Sequence, residues 1–159
     1  MDANMEKKIA EILDSVMQEF CCLIGDLALC EHHDVLSEDT CTVCTTFEGG
    51  YHAKLVLVAD RTLLLRLTQC AMEAEEVAPE DVEDFAKELL NVICGRVVAH
   101  LFQAAHISSR FGIPVFCIGR PRPAQDGAVC ELVLSYLSAR NEGAQLVHQL
   151  PCQPVASAG

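Results

Sequence analysis

Apolar and polar positions alternate with a helical period from the start of the chain. Ile9, Ile12, Leu13, Val16 and Phe20 fall on one side, and Glu6, Lys7, Lys8, Glu11 and Glu19 on the other. This predicts an amphipathic helix over Asn4 to Phe20. From Cys21 to Asp39 the pattern is ambiguous. Leu23 to Cys30 either prolongs the helix or forms a first strand, broken by Gly25, and Glu31-His32-His33-Asp34 reads as a turn. Thr40 to Phe47 is rich in Thr, Val and Cys, and Tyr51 to Ala59 in Val and Leu, with Glu48-Gly49-Gly50 between them. That is the pattern of a hairpin. Asp60 then suits the N-cap of a helix from Arg61 to Met72, with Leu63, Leu64 and Leu67 inward. Val115 to Ile118 and Ala128 to Leu137 read as two further strands joined by a Pro- and Gly-rich turn, and from Ser138 the periodicity is lost. Helix, strands, helix, long helix and strands in that order predict an α+β domain, an antiparallel β-sheet with long amphipathic helices packed on it. Residues 1–138 form that domain, and 139–159 form a tail that is loosely ordered or contacts a dimer partner.

The longest periodic stretch runs from about Pro79 to Ala105. Pro79 fits a first helical turn, where its missing N–H has no partner anyway. Glu80, Asp81, Glu83 and Asp84 suit the partial positive charge of a helix N-terminus. At about 100° per residue, with Asp84 at zero, Glu88 falls near 40°, Asn91 near 340° and Gly95 near 20°. Phe85, Leu89, Val92 and Ile93 fall between about 80° and 180°, which makes that side the expected core face. The opposite stripe carries an acid and a carboxamide one turn apart and ends at Gly95, which costs about 1 kcal/mol of helix propensity against Ala but leaves room for another surface. Solvent faces of helices ordinarily carry Asp, Glu and Asn, so periodicity alone assigns these residues no chemistry. Arg96 falls towards the apolar side and reads as an edge residue, and His100 and His106 as packing or surface histidines.

Composition narrows the classes. The chain has 159 residues, 51% of them hydrophobic, enough for one domain with a sizeable core. The richest apolar runs, Leu55 to Ala59 and Leu63 to Leu67, are far shorter than the roughly 18 residues of a membrane span. The start Met1-Asp2-Ala3-Asn4-Met5-Glu6 lacks the basic residues of a signal peptide. A cytoplasmic protein with no membrane partner is expected. The net charge of −12, from 23 acids against 11 Lys and Arg with no basic block, argues against a nucleic-acid partner.

The ten cysteines are expected as reduced thiols, with Cys21, Cys22, Cys70, Cys94, Cys117 and Cys130 in apolar segments where a thiol behaves as a small hydrophobe. Cys41-Thr42-Val43-Cys44, with His32 and His33 nearby, has metal-ligand spacing. However, residues three apart on a strand point to opposite faces, and no metal site is expected.

A longer pattern distinguishes the stripe. Asp84, Glu88 and Asn91 form Asp-x-x-x-Glu-x-x-Asn, and Pro114 follows Asn91 after 22 intervening residues. This resembles the motif of the chemotaxis phosphatase family of CheC, CheX and FliY: Asp or Ser, three residues, Glu, two residues, Asn, 22 residues, Pro. Val92, Ile93 and Gly95 match the two apolar residues and the Gly that tend to follow the Asn. The segment Gly49-Gly50-Tyr51-His52-Ala53-Lys54-Leu55-Val56-Leu57 resembles the family's Gly-turn into an apolar strand. The resemblance covers roughly residues 35 to 138. With a single Glu-x-x-Asn, CheX is the closer relative.

The resemblance implies hydrolysis of the aspartyl phosphate of a CheY-type response-regulator receiver domain. It implies Asn91 as the group orienting the attacking water, Glu88 as the anchor to the receiver's active-site Lys, and Asp84, Gly95 and Pro114 as supporting positions. Phosphate neutralisation would fall to the receiver's own Mg²⁺ and Lys, so no cofactor of the protein's own is expected. It also implies a homodimer. Two other readings remain open: a non-catalytic receiver-binding or adaptor module of the same fold, and a redox or metal sensor built on the cysteines.

Overall fold

A computed structural model describes residues 3–24, 26–121 and 129–151. The Gly25 break, the turn from Arg122 to Ala128 and residues 152–159 lie outside the described residues. The first helix, α1 (Ala3–Ile24), runs past Phe20, and β1 (Leu27–Cys30) follows it, so the ambiguous segment is helix first and strand after. Next come β2 (Thr40–Gly49), β3 (Ala53–Asp60), α2 (Arg61–Met72) and α3 (Pro79–Ala105), then β4 (Ser109–Phe111), β5 (Val115–Ile118), β6 (Val129–Ser138) and β7 (Gly143–Pro151). The seven-stranded sheet has the order β1-β6-β7-β3-β2, with β4 and β5 sharing the outer edge of β2, and every pairing is antiparallel. Among the described residues no helix is long and apolar enough to cross a membrane.

One face of the sheet and the three helices make the core. Cys41, Val43 and Phe47 of β2, Leu55, Leu57 and Ala59 of β3, Tyr136 of β6, and Ala144 and Leu146 of β7 alternate inward at period two. They meet Ile9, Leu13, Val16 and Phe20 of α1, Leu63, Leu64 and Leu67 of α2, and Ala86, Leu90, Ile93 and Val97 of α3. The chain between β1 and β2 crosses the other face. There Gln145 donates to the His33 carbonyl at 2.7 Å and Val35 is buried. Gly143 lies so close to this crossing that a Cβ on it would run into the Val35 carbonyl.

Three expectations are corrected. The tail from 139 is not loose throughout: Gly143–Pro151 forms β7, an interior strand bonded to β3 and β6. Its alternation was hidden because the inward series Ala144, Leu146, His148, Leu150 contains a histidine and the outward series Gln145, Val147, Gln149 contains a valine. His148 is acceptable inside because its Nε2 meets the hydroxyl of Tyr51, the two rings stacking at 5.8 Å. Burial holds its pKa down to about 4, so it is neutral.

Asp60, secondly, does not cap α2 with its side chain. Its Oδ1 accepts from Ser37 N and its Oδ2 from Gly143 N, each at 2.7 Å, so both oxygens are committed to holding two loops. Thirdly, the cysteines divide. Cys41 and Cys94 are buried, with the Cys94 thiol pushed up to about 12 by burial, whereas Cys22, Cys70, Cys117 and Cys130 are exposed.

Candidate functional site

The helix α3 starts as its sequence dictates. Pro79 opens it, and the Asp81 carboxylate accepts from the Ala78 backbone N–H at 2.9 Å, satisfying one free donor at the helix entrance. It stops at His106, whose backbone is left-handed (φ 54°). The His106 and Ile107 N–H groups return to the carbonyls of Phe102 and Leu101 at 3.0 and 3.3 Å. Between these ends the helix lies against β2, β4 and β5 on one flank and against α1 and α2 on the other.

Its buried line is Val82, Ala86, Leu90, Ile93, Cys94, Val97 and Leu101. That line centres near 220° on the scale that puts Asp84 at zero, opposite the stripe. The expected core face was therefore rotated too far towards Phe85 and Val92. Phe85 and Leu89 are half-buried at the flank, and Val92 is 39% exposed. Arg96 lies on the same flank and reaches Glu19 of α1 at 2.8 Å, an ion pair tying the two helices at the surface.

Asp84, Glu88 and Gly95 are exposed and Asn91 is half-buried, all along the line furthest from the sheet. Their spacing sets Glu88 about 6 Å beyond Asp84 along the axis and Asn91 about 4.5 Å further. No described residue hydrogen-bonds or ion-pairs with the side chains of Asp84, Glu88 or Asn91. Gly95 has nothing within 4 Å of the place a Cβ would take. The surface is a convex helix ridge. The neighbouring cleft, of about 260 Å³, is lined by Val77, Pro79, Glu80, Val82, Glu83 and residues of β2, α2 and β5, and excludes Glu88 and Asn91. A small molecule would find no enclosure on this ridge; a macromolecule with a concave site of its own could seat it.

Pro114 is buried in the jog between β4 and β5. Residues 47–49 of β2 pair with β4 and residues 41–44 with β5. At the gap the Thr45 hydroxyl donates to the Gly112 carbonyl at 2.8 Å, and Gly112 N donates to Thr46 O at 3.1 Å. A residue without an N–H fits where the ladder is interrupted, and the jog belongs to the pair of short strands on which α3 rests. Cys41 and Cys44 lie on opposite faces of β2, Cys41 in the core. Among the described residues no group of three His, Cys, Asp or Glu could hold a metal ion.

A sequence model of the family described as chemotaxis phosphatase CheX matches residues 41–136, which span β2 through most of β6 and include all of α3. The chain belongs to the CheX family. No curated protein matches it. The fold is similar to that of CheX from Vibrio vulnificus (TM-score 0.69, 15% identity, covering 92% of this chain and 99% of that one). It is also similar to a chain of the CheX-CheY-BeF3-Mg²⁺ complex from Borrelia burgdorferi (0.66, 12%, 90% and 95%). A third similar structure is FliY from Thermotoga maritima (0.63, 14%, 96% and 92%). In this CheX-family chain, α3 thus brings Asp84, Glu88, Asn91 and Gly95 onto one exposed line, while Pro114 lies apart in the strand jog. Sequence reasoning missed the continuation of that line through Ala99 to Phe102, which is 56% exposed. The signal was present: 11 residues make close to three helical turns, so Phe102 falls in line with Asn91.

Proposed function

We propose that the protein is an aspartyl-phosphate phosphatase that dephosphorylates a CheY-type receiver domain. The observation that carries the reading is the pair of exposed Glu88 and half-buried Asn91, one turn apart on α3 and without a side-chain partner among the described residues. Family membership supports the class of reaction, and the Borrelia burgdorferi complex places a protein of similar fold with CheY, beryllofluoride and Mg²⁺.

In this reading the receiver docks its phosphorylated aspartate over the ridge. The Asn91 carboxamide, with an acceptor oxygen and two N–H donors, holds a water in line with the P–O bond to the aspartyl oxygen. Water oxygen bonds to phosphorus, the bond to the aspartyl oxygen breaks, and the products are the free carboxylate and inorganic phosphate, which keeps the protons of the water or passes one to solvent. Asn91 is neutral and orients the water without acting as its base. Mg²⁺ and the active-site Lys belong to the receiver and neutralise charge on the phosphoryl oxygens. Glu88 pairs with that Lys and sets the register. Asp84 lends negative charge at the same end, and Pro114 holds the strands beneath. The protein works in the cytoplasm as a homodimer. The edge strand β5, with Val115 exposed on one face and Ile118 on the other, supports a contact between copies, and sedimentation at the monomer mass would exclude it.

The test is the decay of a phosphorylated receiver from the same organism in Mg²⁺, alone and with catalytic amounts of the native protein or Asn91→Ala. Faster decay with the native protein only is the expected result. Binding of the receiver without acceleration would make the protein a non-catalytic adaptor.

A further inference from the structure

Beyond Asn91 the outward line of α3 changes character. Gly95, Ala99 and Phe102 continue it at about 20°, 60° and 0°, with Val92 beside them at about 80°. All four are exposed, and the Phe102 ring rests edge-on against His106, their centroids 6.2 Å apart. Ile93, Cys94, Val97 and Leu101 fill the opposite, buried line. The second half of α3 is thus apolar on both sides, the pattern of a helix covered on both. Val92, Gly95, Ala99 and Phe102, at relative positions 0, 3, 7 and 10, form a ridge of the spacing that seats in a groove of another protein.

The cover is specified by what adjoins it. Gly95 lies between Asn91 and Phe102, and nothing inside the molecule requires a glycine there, so a surface close enough to exploit it overlaps both. Phe102 is about 16 Å from Asn91 along the axis, comparable with the radius of a standard interface patch of about 800 Å² per partner. Charge runs one way along the ridge. The acids Asp84 and Glu88 stand at its N-terminal end, and Arg96 on the flank is held by Glu19. The complementary surface presents a cation at one end and apolar side chains at the other.

We infer that Val92, Gly95, Ala99 and Phe102 are the apolar half of the receiver-docking surface, with Phe102 its distal anchor. The receiver that offers a phosphoaspartate and Lys to Asn91 and Glu88 lays an apolar patch over this half. Phe102 acts as a positioning residue, setting which receivers dock and how tightly, with no part in the chemistry. The inference rests on the phosphatase reading above.

The experiment is steady-state dephosphorylation over a range of phosphorylated receiver concentrations with native protein, Phe102→Ser and Ala99→Arg. It is paired with binding of the beryllofluoride-loaded receiver, and with thermal unfolding and sedimentation of each variant. Expected are unchanged unfolding midpoints, a kcat/KM lowered tenfold or more in both variants, kcat at saturation within twofold of native, and weaker binding to match. Native kcat/KM in both variants beside an active native protein would overturn the docking role alone. So would a fall in kcat at unchanged KM, or a loss of dimer mass with receiver kinetics intact, which would give the ridge to a second copy. A native protein that neither binds nor dephosphorylates any receiver of the organism would remove the phosphatase reading and this inference together.

Discussion

Two polar regions of the molecule use the same residue types to opposite ends. Around the β6–β7 turn the charged groups that are withdrawn from solvent, Arg66, Glu142, Asp26 and Asp60, all have partners. Arg66 of α2 bonds Glu142 at 2.6 Å and Asp26 at 3.0 Å, the Ser138 hydroxyl donates to Glu142 at 2.9 Å, and Asp60 receives two backbone N–H groups. Burial draws the Glu142 carboxyl upward, but the bonds from Arg66 and Ser138 and the charge of Arg66 outweigh it and hold its pKa below the usual value. On α3, Asp84, Glu88 and Asn91 have no such partners. A polar group whose bonding is complete holds the fold, and one held in place with its bonding open is available to another molecule.

The strongest way to break the comparison is to remove the open groups. Asn91→Ala is expected to lower receiver dephosphorylation about 100-fold or more, the usual scale for losing one well-placed polar group at a reacting centre. Its unfolding midpoint and its affinity for the beryllofluoride-loaded receiver should stay at native values. Glu88→Ala should instead raise KM about tenfold, the loss of one exposed ion pair and its register, with a smaller change in kcat. A drop in thermal stability in either variant would show that the stripe belongs to the fold after all.

Asp60 is the converse. Asp60→Ala leaves the buried N–H of Gly143 and the part-buried N–H of Ser37 without their acceptor, and bonds to a charged group contribute roughly 1.5–3 kcal/mol each. A loss of about 4 kcal/mol is expected in denaturant unfolding, with Asp60→Asn losing about half as much because one acceptor oxygen remains. Native stability in Asp60→Ala would place the loop closure elsewhere.

Local signals made α3 readable. The Pro79 start, the long period, the hairpin at Gly49-Gly50 and the spacing from Asp84 to Pro114 are all properties of neighbouring residues. What sequence reasoning misplaced depends on distant parts of the chain. Asp60 resembled a helix cap because its local setting fits one, and only the return of β7 beside β3 brings Gly143 to its second oxygen. Val92 was placed inward because four apolar residues in a row of turns define a side, yet the true core line is drawn by Ala86 and Val97, small or branched residues pressed on the sheet. The pair Glu88 and Asn91 was legible as a motif, whereas the apolar ridge was legible only as a helical spacing from Asn91 to Phe102, since the exposure of Phe102 is a fact of packing.

His148 tests the filled region by pH. It is 3% exposed, and burial lowers its folded pKa to about 4 against about 6.5 in the unfolded chain. Above about pH 6.5 both states are neutral and the contribution is fully present. As pH falls from there towards 4, the unfolded chain takes up a proton that the folded one refuses, and stability declines by about 3 kcal/mol in total. His148→Leu should flatten this slope between pH 6.5 and 4 while leaving in place the Glu142 loss, which sets in as pH falls through the ordinary carboxylate range and is complete only below the lowered folded pKa. An unchanged slope in the variant would assign the acid sensitivity to the carboxylates alone.

The smallest effect falls on the open line itself. A Cβ at Gly95 meets nothing within 4 Å, so Gly95→Ala should stabilise the isolated protein by about 0.5–1 kcal/mol through helix propensity and a less flexible unfolded chain. If the glycine serves only the helix, receiver binding is indifferent to the change. If it serves the approach of a partner, the same substitution that raises the unfolding midpoint weakens docking several-fold, and Gly95→Leu weakens it further at similar stability. Opposite signs from one methyl group, stability up and affinity down, would separate the two regions on a single residue; affinity unchanged in both variants would leave Gly95 outside the interface and confine docking to Glu88 and Asn91.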